Sequence, residues 1–401
     1  MDSKTSKSSM SCDMDKTQGQ TPLDLQAGGP LRRRSFLTGI GAAGLALSTG
    51  ALLNDPLHAE ERSGALTRGD AAILRFLAAA ELIETDLWQQ YAELGGTPTN
   101  EPPMITGLTS GNAAYTKALS NLDGDMATYI HDNTEDEFSH AAFINAYLKS
   151  KNADTVNLDN FRTLPSSQAT GAQQIGRLTN LMELTVDTSW FTRYRSRTGN
   201  PDLGDSFSNA IAVLGTKRHT AIPRNNNEAE LDPASPNGVT DVTQFIANTA
   251  AFHFAFIEQG GTSLYAQLAQ RVSSAEVLRI LLSIGGTEIA HFQTWHDKAG
   301  NAPALKGVLD PVSGDTVDFP DLTTFAGNED LQTNLIMPEP TFFLSKQFPV
   351  CSIIRPTATA NAAHEAVKSL TNDGLFRGQH DDFFRYLNDL AEDADEARRH
   401  F

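Results

Sequence analysis

Two short motifs, Glu137-x-x-His140 and Glu288-x-x-His291, each set a carboxylate and an imidazole three residues apart. On a helix, positions i and i+3 share one face, one turn apart. The second pair shares its face with Val277, Leu281, Ile284, Phe292 and Trp295, so both polar groups fall inside an apolar stripe. An unpaired charge in that setting is very costly. Two further carboxylates have the same surroundings. One is Glu81 or Glu84, among Ile73, Leu74, Leu77 and Trp88; the other is Glu258, among Ala247, Ala251, Phe254, Thr262 and Tyr265. The charge of four such carboxylates equals that of two divalent cations, and two neutral imidazoles fill further ligand positions. The chemistry these residue types fit is the binding of two metal ions in an apolar interior.

Bringing six side chains from distant parts of the chain together requires long helices, and four segments have the period for them. The first spans about 69–94 and stops at Gly95-Gly96. The second spans about 112–151. The third opens near Asp241, where Asp241 and Gln244 are spaced like a capping box, and the fourth opens on Ser273 and Glu276. Gly260-Gly261 and Gly285-Gly286 interrupt the third and fourth within three residues of the inward Glu, at a cost in helix stability that a kink or a close backbone approach would explain. An antiparallel four-helix bundle places all six groups at its centre, one Glu from each of two helices and one Glu-x-x-His from each of the others. The expected fold is therefore all-α.

The region 69–300 resembles the ferritin-like superfamily, and more narrowly exported ferritin-like-domain proteins related to desiccation-associated proteins. The first-helix motif of that family is matched by Ala80-Glu81-Leu82-Ile83-Glu84. The resemblance selects Glu81 as the ligand there and leaves Glu84, with Tyr265, beside the ligand set. It places the remaining ligands at Glu137, His140, Glu258, Glu288 and His291 and implies two transition-metal ions, iron or manganese; Glu137 and Glu288, each beside its His partner, are the better bridging candidates. It covers neither the connection at 152–240 nor the extension at 301–401, which lacks helical period to about 359 and then carries one or two short helices. The extension is expected to wrap the bundle.

The formal charge of −18 argues against a nucleic-acid surface, which needs clustered Lys and Arg. The one basic cluster is Arg32-Arg33-Arg34. Arg33 and Arg34, followed by Phe36-Leu37 and a weakly apolar run to Leu53, resemble a twin-arginine export signal. Residues 1–59 are accordingly read as a signal segment ending near Ala59, the twin-arginine translocase as a partner, and the destination as the periplasm or another extracytoplasmic space. Of two cysteines, only Cys351 would remain, so no internal disulfide could form. His131, His219, His253, His296, His364 and His380 have no partner at ligand spacing and read as structural or solvated. Trp88, Trp295 and Tyr265 read as core aromatics near the site. Two functions follow from different classes. One is redox chemistry with oxygen or peroxide at a di-metal centre, protective against stress. The other is a non-catalytic desiccation or metal-sequestering protein.

Overall fold

Helix α1 (Arg68–Gly95) begins where the Thr67 hydroxyl accepts a hydrogen bond from the Asp70 amide, and ends at Gly96, whose N–H returns to the Ala92 carbonyl. The computed structural model describes residues 66–97, 111–194, 196, 199–322, 337–353 and 360–399. The segment read as an export signal, with Arg33 and Arg34, lies outside them. No described helix is long and apolar enough to cross a membrane.

The second expected helix is two. Helix α2 (Ala113–Ser120), capped by the Asn112 side chain, is separated from α3 (Met126–Ser150) by Asn-Leu-Asp-Gly-Asp. Asp123 accepts a hydrogen bond from the Asp125 amide there, a turn that competes with helix continuation. Helix α6 (Asp241–Ala269) is capped by Thr240 rather than Asp241, and α7 (Ala275–Gly300) by Ser274 rather than Ser273. Each cap sits one residue from the position its sequence motif indicates.

Contacts fix the directions of the four long helices. Between α1 and α3, Glu81 meets His140 and the Trp88 carbonyl accepts from Thr134; between α6 and α7, Glu258 meets His291 and Tyr265 abuts Gly285. Rising numbers on one helix pair with falling numbers on its neighbour, so both pairs are antiparallel. The same holds across the bundle, where Tyr265 reaches Glu81 and His253 reaches Tyr91.

Among its described residues, the connection between α3 and α6 contains only the short helices α4 (Trp190–Arg193) and α5 (Ala212–Thr216), isolated bridges and single 3₁₀ turns. It nevertheless adds Leu178, Leu181, Leu184, Trp190 and Phe191 to the core. Two acids of α1 hold it. Asp86 accepts from the amides of Leu178 and Thr179, from the Thr179 hydroxyl and, at 2.6 Å, from Arg162. Glu93 takes Arg177 at 2.5 Å, with both side chains buried.

Beyond α7 the chain forms an antiparallel hairpin, β1 (Leu305–Leu309) with β2 (Thr316–Phe319), and a second short pair, β3 (Pro340–Thr341) with β4 (Cys351–Ser352). The sequence reading contained neither; strands this short, with Gly307 inside one, leave little alternation to detect. Phe319 of the hairpin packs near Phe245 and Phe252 of α6. Helices α8 (Ala362–Asp373) and α9 (Asp381–Glu396) follow, and α9 packs on α1. Asp395 of α9 accepts from the amides of Ala363 and His364 and pairs with Arg271, tying the start of α8 and the end of α6 together. Cys351 is exposed and free.

Candidate metal centre

Each long helix delivers its polar residue to one place. Glu81 comes from α1, Glu137 and His140 from α3, Glu258 from α6, and Glu288 and His291 from α7; all six are buried, the four carboxylates completely. His140 Nδ1 lies 3.1 Å from Glu137 Oε2, 3.3 Å from Glu81 Oε2 and 3.4 Å from Glu288 Oε1. His291 Nδ1 lies 3.1 Å from both Glu137 Oε1 and Glu258 Oε2. Two overlapping groups result, Glu81–Glu137–His140–Glu288 and Glu137–Glu258–Glu288–His291. Within each group the candidate ligand atoms lie within 4.8 Å of one another. Glu137 and Glu288 belong to both groups.

The donor set fits a pair of cations. Glu288 Oε2 is buried without a hydrogen-bond partner, and Glu288 Oε1 and Glu81 Oε2 have only the longer contacts to His140 Nδ1, at 3.4 and 3.3 Å. Acceptors left unsatisfied in an interior cost free energy that a cation would offset. Oxygen and imidazole donors suit divalent first-row transition metals, whereas thiolates would point to softer ions.

Burial governs the protonation of these groups. Desolvation pushes Glu81 up to about 7 and raises Glu258 and Glu288 above the usual carboxylate range, with the surrounding carboxylates adding to the shift of Glu288. Glu137 goes the other way. Desolvation opposes its charge, but hydrogen bonds from His140 and His291 hold it well below the usual range. Desolvation would likewise lower both imidazoles, yet the carboxylates prevail; Glu81 leads in raising His140 to about 10, and Glu258 leads at His291. Protons here provide the compensation that cations would provide, so ion binding must expel them and weakens as pH falls.

Two positioning residues lie on α3 where sequence reasoning did not look. Asn133, one turn before Glu137, donates to Glu137 Oε1 at 2.9 Å and to Glu258 Oε1 at 3.0 Å, while its carbonyl accepts from the Trp295 indole at 2.7 Å. Its i−4 spacing from Glu137 put it on the inward face, which was the available signal. Asp136 lies 3.1 Å from His291 Nε2, leaving Nδ1 turned to the carboxylates. A carboxylate on the outer nitrogen of a ligand imidazole fixes its tautomer and orientation. Nothing in the periodicity marks Asp136, which adjoins the inward Glu137 and is not itself on that face.

Tyr265 donates its hydroxyl to Glu81 Oε1. Glu84 is half-buried and belongs to neither group, although desolvation, and then the charges of Glu137, Glu81 and Glu258, raises it well above the usual range. Glu81→Gln should therefore lower metal occupancy several-fold more than Glu84→Gln, as measured by elemental analysis of purified protein; equal losses would contradict this division. Gly261 also has a role. A Cβ at that position would collide with the Glu288 carboxylate, whereas one at Gly260 would meet nothing within 4 Å. At Gly285 it would come within 2.9 Å of the Tyr265 Cβ. Gly261 and Gly285 thus permit close approach, and neither pair kinks or interrupts its helix as the sequence allowed.

The histidines read as structural lie away from the ligand atoms. His253 is fully buried, 2.7 Å from the Tyr91 hydroxyl, and desolvation lowers it to about 3. His296 packs among Trp190, Phe191 and Phe292. Trp88 stacks on Trp295 and Phe254, with centroids 5.2 and 4.8 Å apart.

A family model for the ferritin-like domain matches residues 69–301. That span contains all four long helices and all six residues of the two groups. No curated protein and no solved structure matches the chain.

Proposed function

Because the chain belongs to the ferritin-like domain family, we propose that its bundle holds two iron or manganese ions and uses them in redox chemistry with oxygen or peroxide. The observation that carries this reading is the sharing of Glu137 and Glu288 between two four-residue groups, with neither Glu288 oxygen hydrogen-bonded and Oε1 met only by His140 Nδ1 at 3.4 Å. Glu81 and His140 would complete one position, Glu258 and His291 the other. Two adjacent ions of this kind supply paired one-electron changes at a single place.

The chain's own residues do the rest. Asn133 holds Glu137 and Glu258 in register, and Asp136 orients His291. The Tyr265 hydroxyl, on Glu81 Oε1, holds a proton beside the centre. The stack of Trp88, Trp295 and Phe254 keeps water from the side of the bundle behind Asn133.

The protective role against stress, the kinship to desiccation-associated proteins and the export of the folded protein by the twin-arginine translocase to the periplasm belong to the same proposal. They rest on Arg33 and Arg34 and on the resemblance of the four helices. The test is elemental analysis of protein purified from its native host, paired with measurement of peroxide and oxygen consumption. The expected result is about two ions per chain, the number a shared two-position carboxylate site accepts, with metal-dependent turnover. Two tightly held ions with no turnover would instead establish the sequestering function.

A further inference from the structure

A cavity of about 240 Å³ lies beside the carboxylate centre, between α1, α6 and α8. Ile83, Leu87, Phe256, Ile257 and Leu264 make its walls apolar, and Ala362, Ala366 and Leu370 of α8 close another side. Three residues form a thin partition on the inner side. Tyr265 lines the cavity while its hydroxyl bonds Glu81; Gly261 lines it while leaving no room for a Cβ against Glu288; Glu84 lines it while feeling the charges of the centre. Exposed Gly260, Glu365 and Ser369 mark the open side.

A dry apolar cavity of about 150 Å³ accommodates benzene, and pockets for larger ligands start near 300 Å³. We infer that this cavity is a binding site for a small uncharged apolar molecule of about ten non-hydrogen atoms, held against the carboxylate centre by α8. The apolar walls would leave a charged ligand desolvated. An anion would in addition face Asp187 and Glu365 on the lining, and Arg193, the cation there, is already engaged by Gln259 at 2.7 Å. What the molecule meets at the partition rests on the di-metal reading; the capacity to bind it does not. The C-terminal extension thereby has a task that a bare four-helix bundle would not need, since α8 supplies a wall.

The experiment is calorimetric titration of the full-length, metal-free protein with indole as the neutral probe, and with benzoate and benzylammonium as charged ones. Saturable binding of one indole per chain is expected, with both charged probes at least tenfold weaker. Gly260→Leu, which adds a side chain where a Cβ meets no neighbour, and Ala366→Leu, from the α8 wall, should each weaken indole at least tenfold. Gly286→Leu, exposed and off the lining, should not. Circular dichroism checks that each variant is folded. Absence of saturable indole binding, equal binding of either charged probe, or indifference to both blocking variants would overturn the proposal. Because no metal is present in the titration, a failed cavity and a failed di-metal reading give separate results.

Discussion

Replacing His140 and His291 together with alanine should take the chain from about two tightly bound transition-metal ions to none, with helical content close to that of the unaltered protein. Each group of candidate ligands contains one imidazole, so the double change strips both. What is left, four buried carboxylates, lacks the donors that lower Glu137, and burial then favours their protonated forms. Metal content by elemental analysis and helicity by circular dichroism decide the matter. The helices should persist because α1 and α6 are buried along most of their lengths by apolar contacts far from the centre. Full metal content in the double variant would refute the six-residue site.

Asp86→Ala should destabilise the protein by about 3–5 kcal/mol, the usual cost of leaving buried polar partners and a charge uncompensated. Asp86 is fully buried and serves the amides of Leu178 and Thr179, the Thr179 hydroxyl and Arg162, so one truncation orphans donors across the whole start of the connection. Urea unfolding measures the loss, and Asp86→Asn, which keeps an acceptor but not the charge, should fall between. A loss under about 1 kcal/mol for Asp86→Ala, the scale of an ordinary exposed pair, would show that the connection is held elsewhere.

These two sites differ in how far the sequence revealed them. A glutamate amid Ala247, Ala251 and Phe254 breaks an apolar stripe, and such a break is visible wherever helical period is strong. The all-α bundle and the convergence of its inward polar residues were legible for that reason. Asp86 and Glu93 carry no such mark. They occupy α1 as ordinary acids would on a solvated face, and only partners at Arg162, Leu178, Thr179 and Arg177, 76 to 93 positions away, make them structural. Long-range pairing of that kind leaves no periodic trace. The same limit hid Asp136, whose importance comes from a ring on another helix; the β1–β2 hairpin escaped because a four-residue alternation beside an irregular strand is too short to stand out. The break at 121–125 was legible in kind, since Asp and Gly stand together there, but the apolar period on either side concealed it.

The packing of α9 on α1 has a consequence for the order of events during synthesis. Arg75 of α1 reaches Asp393 of α9 at 4.0 Å, and Gly69 lies against Ala397. Contacts that span nearly the whole chain are slow to form. At about 5–20 residues per second, the ribosome needs roughly 15–60 s between adding Glu81 and completing α9. Throughout that interval the surface of α1 that α9 will cover stays open, as does the side of the cavity that α8 will close. The growing chain thus presents apolar surface of α1 until α8 and α9 have been made. Final enclosure of the bundle waits for α8 and α9, the last helices of the described residues to be made.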